Sequence, residues 1–291
     1  MGFIKKTLDV RLQRQVAEAD HFVKGHYKLA DLPLPNISVG IPRDAWSHST
    51  DRSGAIGSLI RMRRWVDYNI FYAAACNLES RNIHYSHLYV IYSHSRELRG
   101  NIAHELAHSY SSATPLGRKS LFSTGFASED MALNCAFEGL AVAAQKSADS
   151  CASGRNYFLE ALRMPLRLVI NLVRQTLLLL TEPEKILLNF ISNWINSLSK
   201  ETKQKLGVFI DEHDFFARFV SPHSSGYLFV AEVMKKVGGS EKAFKLLCYH
   251  PPETMAEIFH SDLYFARKSH AVIHLQADYH ISMPLLRSSP S

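Results

Sequence analysis

The sequence predicts an α+β protein in which helices predominate. Most segments carry apolar residues at helical spacing, and short runs rich in β-branched and aromatic residues occur only in the first third of the chain. Clusters of proline and glycine separate these segments. Because the 291 residues have 46% apolar content, they can bury a sizeable core. We therefore expect residues 1–291 to form one folded unit with a few strands in its first part.

The first third is predicted to contain both helices and strands. Residues 1–30 have helical patterning, which the proline-rich stretch LADLPLPNISVGIPRD interrupts, and a short strand is expected at 37–41. The segment GSLIRMRRWVDYNIFYAAACN, residues 57–77, is predicted to be a second helix. The segment HLYVIYS, residues 87–93, is short and rich in β-branched and aromatic residues. It is therefore predicted to be a strand.

Two further helices complete a core predicted at 30–150. Residues 95–110 and 128–148 have helical spacing, and Pro115 and Gly117 place a loop between them. Ser128 is the expected N-cap of the second helix, since a serine side chain can accept from the free backbone N–H groups of the first turn.

The next part, residues 155–205, is predicted to be a helical insertion. It is rich in leucine, and within it Thr181 and Glu184 have the spacing of a capping box around Pro183. Proline is favoured in the first turn of a helix, so a new helix is expected to begin there.

The last part, residues 206–291, is predicted to be a helical subdomain. The stretch SSGYLFVAEVMKKVGG has helical spacing and is expected to end at Gly238 and Gly239. Thr254 and Glu257 form a second capping-box pattern after two prolines.

Composition limits the classes of function and location. The formal charge of +6 is spread along the chain, so nucleic acid is not an expected partner. No run of about 18 apolar residues exists, and the N-terminus lacks the apolar core of a signal peptide. The four cysteines have neither CxxC nor disulfide-scaffold spacing. A cytoplasmic protein with reduced thiols is expected.

The stretch NIAHELAHSY, residues 101–110, carries the clearest chemical pattern. On a helix His104 and His108 point the same way, one turn apart, so their imidazoles can bind one Zn²⁺. Glu105 lies about 100° further round the axis, where its carboxylate can reach a water on the metal but is too far away to be a third ligand. Because zinc lowers the pKa of bound water, this spacing suits metal-assisted hydrolysis. The alternative is a core helix whose two histidines are satisfied by hydrogen bonds.

A third ligand should distinguish the two interpretations. Metzincins continue with glycine and histidine where this chain has Ser111 and Thr114, which excludes that class. The following stretch AFEGLAV supplies Glu138, with Gly139 and Ala141 after it. Here the chain resembles the HExxH plus EGxA pattern of gluzincin metallopeptidases. In that family the glutamate completes the zinc sphere, and the small residues let the two helices pack closely.

The resemblance implies a set of roles. His104, His108 and Glu138 would bind one zinc ion, and Glu105 would be the general base, in a zincin-like domain whose edge strand, HLYVIYS, pairs with an extended peptide. The acidic residue that often follows the third ligand by four places is absent, because that position is Val142. A partner for a zinc histidine would then come from elsewhere, with Asp130 and Glu129 as candidates.

The C-terminal third also resembles a group of uncharacterised bacterial gluzincin-like proteins. The matching residues are Pro222, Gly226, Phe229, Val230, Gly238, Gly239, Pro251, Pro252, Thr254, His260 and Tyr264. One departure is that His223 stands where the group has tyrosine. Since gluzincins need a donor for the oxyanion, His223 is the first candidate and Tyr227 the second. For His223 the alternative is a residue that caps or flanks its helix; His260 either lines the cleft or packs, and packing is favoured.

Residues 155–180 are apolar apart from a polar stripe. Arg163, Arg167, Asn171 and Arg174 are spaced by four, four and three, and Pro165 can kink or restart the helix. Three arginines exclude a membrane-spanning helix. Either a core helix or a surface that docks on a membrane or a protein partner fits this pattern.

These patterns together predict a zinc metalloendopeptidase that acts on peptides or proteins. Zn²⁺ would activate water, Glu105 would take its proton, and His223 or Tyr227 would stabilise the oxyanion. The alternative is a non-catalytic zincin-like module that docks on a partner through the leucine-rich segment.

Overall fold

The computed structural model describes residues 2–29, 32–39, 74–77, 82–121, 127–150 and 183–268, together with residues 165, 168, 169, 172, 173, 175, 176, 179 and 180. Helices predominate in these residues and strands form one small sheet, which confirms the mostly helical α+β class. The zincin-like arrangement remains a prediction.

The elements follow one another along the chain with these bounds. They are α1 (Gly2–Tyr27), β1 (Asn36–Val39), β2 (Ala74–Asn77), β3 (Asn82–Tyr85), α2 (His87–Tyr92), α3 (Ser95–Ser111), α4 (Pro115–Leu121), α5 (Ser128–Ser150), α6 (Pro183–Ser197), α7 (Lys200–Glu212), a 3₁₀ helix (Asp214–Phe219), α8 (Pro222–Val237), α9 (Ser240–Tyr249) and α10 (Met255–Phe259). Residues 261–268 are also helical.

Backbone contacts group the chain into two compact units. One comprises residues 1–109 and 141–193, and the other comprises 110–140 and 194–291. Helices α3 and α5 are each continuous across this division. The sequence-based division at 30–150, 155–205 and 206–291 remains a prediction.

The first unit contains the sheet, in the order β1-β3-β2. Strand β1 runs parallel to β3, with Asn36 opposite Asn82, and β2 runs antiparallel to β3. Helix α1 packs against β1 and α2. Its Arg11 guanidinium donates to the carbonyl oxygens of Val90, Ile91 and Ser93, which lie at the end of α2. These bonds satisfy carbonyls that a helix C-terminus leaves without intrahelical partners.

The prediction of a strand at 87–93 is wrong, because this segment forms helix α2. The Ser86 hydroxyl accepts from the backbone N–H of Tyr89 at 3.3 Å and so caps its start. Tyr89 and Val90 are buried while Ile91 is exposed, which is a one-sided helical pattern. The caps at both ends and this burial outweigh the β propensity of the residues.

The other strand predictions had mixed outcomes. The strand expected at 37–41 is confirmed as β1 over residues 37–39, while 40 and 41 lie outside the described residues. The helix predicted at 57–77 is wrong for residues 74–77, which form β2 and pair with β3 through Cys76 and Ile83. The rest of that segment is outside the described residues.

In the second unit, two acidic side chains accept hydrogen bonds from other elements. They are Asp211 in the last turn of α7 and Asp214 at the start of the 3₁₀ helix. The Asp211 carboxylate accepts from the backbone N–H groups of Met255 and Ala256 at 2.7 and 2.9 Å, and from the Ser128 hydroxyl. Asp214 accepts from the backbone N–H of Ser128 at 2.7 Å. Helix α5 begins at Ser128 itself, so the prediction that Ser128 is its N-cap is wrong by one position. The Ser128 hydroxyl donates to Asp211 and so is not available to the first turn as an N-cap acceptor would be.

The predicted end of α8 and the predicted start of α10 are confirmed. Helix α8 ends at Gly238, which has the left-handed φ of 78° that favours glycine. At α10 the Thr254 hydroxyl accepts from the N–H of Glu257 at 3.2 Å. The Glu257 carboxylate accepts from the N–H of Glu253 at 2.8 Å, one residue before the position that a capping box uses. A helix does begin at Pro183, but Thr181 is outside the described residues.

A buried ion pair holds the C-terminal helical residues to α10. Glu257 is 5% exposed and receives two bonds from the Arg267 guanidinium, one of them 2.7 Å long. Arg267 also donates to the carbonyl of Pro251 at 3.2 Å. Removing one partner would leave a charge in a poorly solvated site.

The Glu257→Ala variant is therefore expected to lower the free energy of unfolding by about 3 kcal/mol, measured by urea denaturation. The matched control is Glu241→Ala, which removes an ion pair with Lys245 within one helix (2.9 Å) and should change stability by less than about 0.5 kcal/mol. Equal effects of the two variants would contradict this ranking.

Within the described residues, no helix has both the length and the apolar character needed to cross a membrane.

Candidate metal centre

Helix α3 presents an apolar side to the interior and carries the two histidines. Its buried residues recur at helical spacing in the first half of the helix, and every residue from Leu106 to Ser111 is buried. They include Leu98, Ile102, Ala103, Leu106, Ala107 and Tyr110. His104 is half-buried and His108 is 7% exposed. The helix thus holds both imidazoles at the edge of the core.

The two imidazoles face each other, each with its Nε2 atom directed towards the other ring. The Nε2 atoms of His104 and His108 are 3.0 Å apart, and the ring planes are inclined at 85° with centroids 4.6 Å apart. If both Nε2 atoms are deprotonated, two lone pairs converge on one point. This arrangement suits a shared cation.

Helix α5 supplies the third group. Its first turn is tied down by Asp211 and Asp214, and its residues Cys135, Ala136, Leu140 and Ala141 are buried. Glu138 lies between them with 24% of its side chain exposed. Ligand atoms of His104, His108 and Glu138 all lie within 4.8 Å of one another. The predicted combination of three residues is therefore brought together.

The donor set fits a zinc ion. Two imidazole nitrogens and one carboxylate oxygen are a common protein ligand set for Zn²⁺, with a fourth position left for water or substrate. Ligand atoms about 2.1 Å from a tetrahedral ion are about 3.4 Å from one another, so separations up to 4.8 Å need only small side-chain rotations. The group could hold a metal ion; zinc as its identity is part of the proposal below.

Glu105 lies next to the first of these ligands. It follows His104 on α3, is half-buried, and projects about 100° further round the helix axis. A carboxylate in this position would be able to reach a water bound to a metal ion without itself binding the ion.

His223 contacts Glu138, the third residue of the group. The sequence did not predict this contact. It lies in the first turn of α8, after Pro222, and its Nε2 is 3.2 Å from Oε2 of Glu138. Its side chain is 60% exposed and so can also meet a ligand from solvent. This ion-pair distance places His223 where it can orient the Glu138 carboxylate.

The other predicted site residues have different surroundings. Tyr227 is half-buried on α8, one turn after His223 and on the same side of the helix. His260 is the C-cap of α10 and is 3.8 Å from the Asp262 carboxylate. Glu129 and Asp130 are in the first turn of α5, about two turns before Glu138. Their suggested role beside a zinc histidine remains a prediction.

A close approach of α5 and α8 brings Glu138 and His223 together. A Cβ at Gly139 would lie 2.8 Å from the Val230 Cγ2 atom and closer still to the carbonyl oxygen of Gly226. A Cβ at Gly226 would lie 2.8 Å from the carbonyl carbon of Cys135 and closer still to its oxygen. The glycine of the EGxA pattern therefore allows contact with α8, where the resemblance had implied contact with α3.

Cys135 precedes Glu138 by one turn but is not one of the residues whose ligand atoms converge at the site. It is fully buried, and burial raises the pKa of this thiol, with the nearby Glu138 charge raising it further. Cys135 is therefore assigned to the core.

His223→Ala is expected to weaken the binding of added Zn²⁺, used as the probe metal, about tenfold, because Glu138 loses a group that can orient it. Competition with a fluorescent chelator would measure the dissociation constant. His213→Ala is the matched control, because His213 is also exposed but stacks on Phe209, with centroids 4.5 Å apart. An unchanged constant in His223→Ala would show that the contact has no effect on the metal.

Comparisons with protein-family models, with curated proteins and with solved structures find no match to this chain. The resemblance to gluzincins accordingly remains a prediction.

Proposed function

We propose that this protein is a zinc-dependent metallopeptidase of the gluzincin type. The observation that supports the proposal most is the convergence of His104, His108 and Glu138 within 4.8 Å, with Glu105 beside the first ligand. A metal site alone could be structural. A half-buried carboxylate next to a three-ligand site, with one coordination position left open, is the arrangement of a hydrolytic centre.

Each residue is given a chemical role. The zinc ion would polarise the scissile carbonyl and lower the pKa of water. Glu105 accepts the proton of the attacking water and passes it to the leaving amine, which is the work of a general base followed by a general acid. Because Nε2 of His223 is 3.2 Å from Glu138, we assign His223 to positioning this ligand. Tyr227, one turn further, is then the proposed donor to the oxyanion.

The surface that binds the peptide must differ from the one expected. Residues 87–93 form helix α2, so they do not offer a strand edge for pairing. Within the described residues, the sheet has its edges at β1 and β2. An extended peptide can add to such an edge through its backbone groups.

The test compares metal-loaded protein with protein stripped by a chelator, each incubated with a mixed peptide library. We expect the loaded protein to cleave peptides, the stripped protein to be inactive, and added zinc to restore cleavage. Product peptides would be identified by mass spectrometry. No cleavage by protein that contains stoichiometric zinc would contradict the proposal.

A second function is favoured by the exposed apolar residues of the leucine-rich segment. Leu168, Leu172 and Leu180 are each more than half exposed. A non-catalytic module that docks through this segment would bind zinc without cleaving any peptide. The library experiment separates the two functions directly.

A further inference from the structure

The last turn of α6 is hydrogen-bonded to the first turn of α8, which carries His223. The Asn196 side-chain amide donates to the Ser224 hydroxyl at 2.7 Å, and its oxygen accepts from the Ser225 hydroxyl at 3.0 Å. These two serines directly follow His223 in the sequence. All four residues belong to the same compact unit as Glu138. One side chain of α6 therefore holds two consecutive residues beside the group that contacts Glu138.

The bond to Ser225 is well shielded from solvent. Ser225 is 3% exposed, and Asn196 is half-buried. A serine hydroxyl can donate or accept, so both bonds form in either orientation of the amide. A buried hydroxyl that loses its partner costs free energy. The first turn of α8 therefore favours the one position in which both serines meet Asn196.

The same turn contacts α5 on its other side. At 100° per residue, the two serines that bind Asn196 are centred about 180° from Gly226 and His223 around the helix axis. Gly226 lies against the carbonyl group of Cys135, and His223 lies 3.2 Å from Glu138. The turn is thus held between the Asn196 side chain of α6 and the backbone of α5.

We propose that Asn196 positions His223 against Glu138 and thereby strengthens metal binding. Loss of a group that orients a metal ligand commonly lowers metal affinity about tenfold or more. Asn196 acts on the metal ion only through His223, so it is a positioning residue. It belongs to the segment predicted as a helical insertion. The inference rests on the metal-binding part of the proposed function and does not depend on peptide hydrolysis.

Added Zn²⁺ is the probe metal in the first test. Asn196→Leu removes both hydrogen bonds and is expected to raise the dissociation constant, measured by chelator competition, about fivefold. Asn196→Asp should keep the wild-type constant, because a carboxylate accepts from both serine hydroxyls. Ser197→Ala is the matched control, since the Ser197 hydroxyl donates to the carbonyl of Trp194 at 2.7 Å within α6 and does not reach α8. Thermal melting shows that each variant folds. An unchanged constant in Asn196→Leu would overturn the proposal.

A double-mutant cycle separates positioning from a general loss of stability. In the His223→Ala background, Asn196→Leu should cause no further loss of zinc affinity, because the group through which Asn196 acts is absent. A purely structural role would lower the affinity by the same factor in both backgrounds. That result would also contradict the proposal.

The metal-free protein provides a readout that does not need zinc. NMR of wild-type protein should show a nuclear Overhauser effect between the His223 ring and the Glu138 side chain, which are in contact. The effect should persist in Asn196→Asp and vanish in Asn196→Leu; its persistence in Asn196→Leu would sink the inference. Wild-type protein that binds no zinc would contradict the proposed function, while the Overhauser effect still decides whether Asn196 positions His223.

Discussion

The Glu105→Gln variant is expected to bind zinc as tightly as wild-type protein and to lose about a thousandfold of the rate of peptide hydrolysis. Glutamine has the shape of glutamate but cannot accept the proton of the attacking water. The proposed metal ligands His104, His108 and Glu138 are unchanged in this variant. Cleavage would be followed as kcat/KM on the best peptide from the library.

A control on the same helix isolates the role of this carboxylate. Glu97 is exposed in the first turn of α3, about two turns from Glu105, so Glu97→Gln should retain both zinc and activity. Glu105→Asp should retain part of the activity, because a shorter carboxylate can still accept a proton through a displaced water. If Glu105→Gln kept more than about a tenth of the wild-type kcat/KM, Glu105 would not be the general base.

The Gly226→Ala variant is expected to lose about 3 kcal/mol of folding free energy and to bind zinc more weakly. The added methyl group would overlap the carbonyl group of Cys135 in α5, and backbone atoms cannot rotate away as a side chain can. Helices α5 and α8 must then separate. The separation moves Glu138 away from His223, so stability and metal affinity fall together.

Urea denaturation and zinc titration of the same preparation measure both effects. Gly25→Ala is the matched control, because Gly25 also lies in a helix but a Cβ there meets no atom within 4 Å. Alanine at this position should be neutral or stabilising by up to about 1 kcal/mol. Wild-type stability in Gly226→Ala would show that the two helices do not depend on this close approach.

Local patterns predicted several of the helices and the three residues that converge in the candidate metal centre. The spacing of His104 and His108 fixes both side chains on one side of a helix, and this relation needs no knowledge of the rest of the chain. Glu138 was found through a resemblance between short motifs, and the fold brings it to the histidines. The end of α8 at Gly238 could be predicted for a similar reason. A helix end at glycine depends only on the local backbone conformation.

Two features of the structure could not be predicted because they depend on contacts between residues far apart in the sequence. The segment HLYVIYS has β propensity, but Arg11, about 80 positions earlier, satisfies the end of the helix that it forms. The pairing of His223 with Glu138 depends on a crossing of α5 and α8 at Gly139 and Gly226. A glycine inside each of two helices was a signal for this crossing, although each glycine alone is ambiguous.

The zinc content of the chain purified without chelators tests the central claim most directly. Atomic absorption is expected to find one zinc ion per chain in wild-type protein and in Glu105→Gln, and less than about a tenth of that in the His104→Ala, His108→Ala double variant. Circular dichroism would show that the double variant keeps its helices. Wild-type protein without zinc, or a double variant that retains zinc at the wild-type level, would contradict the account.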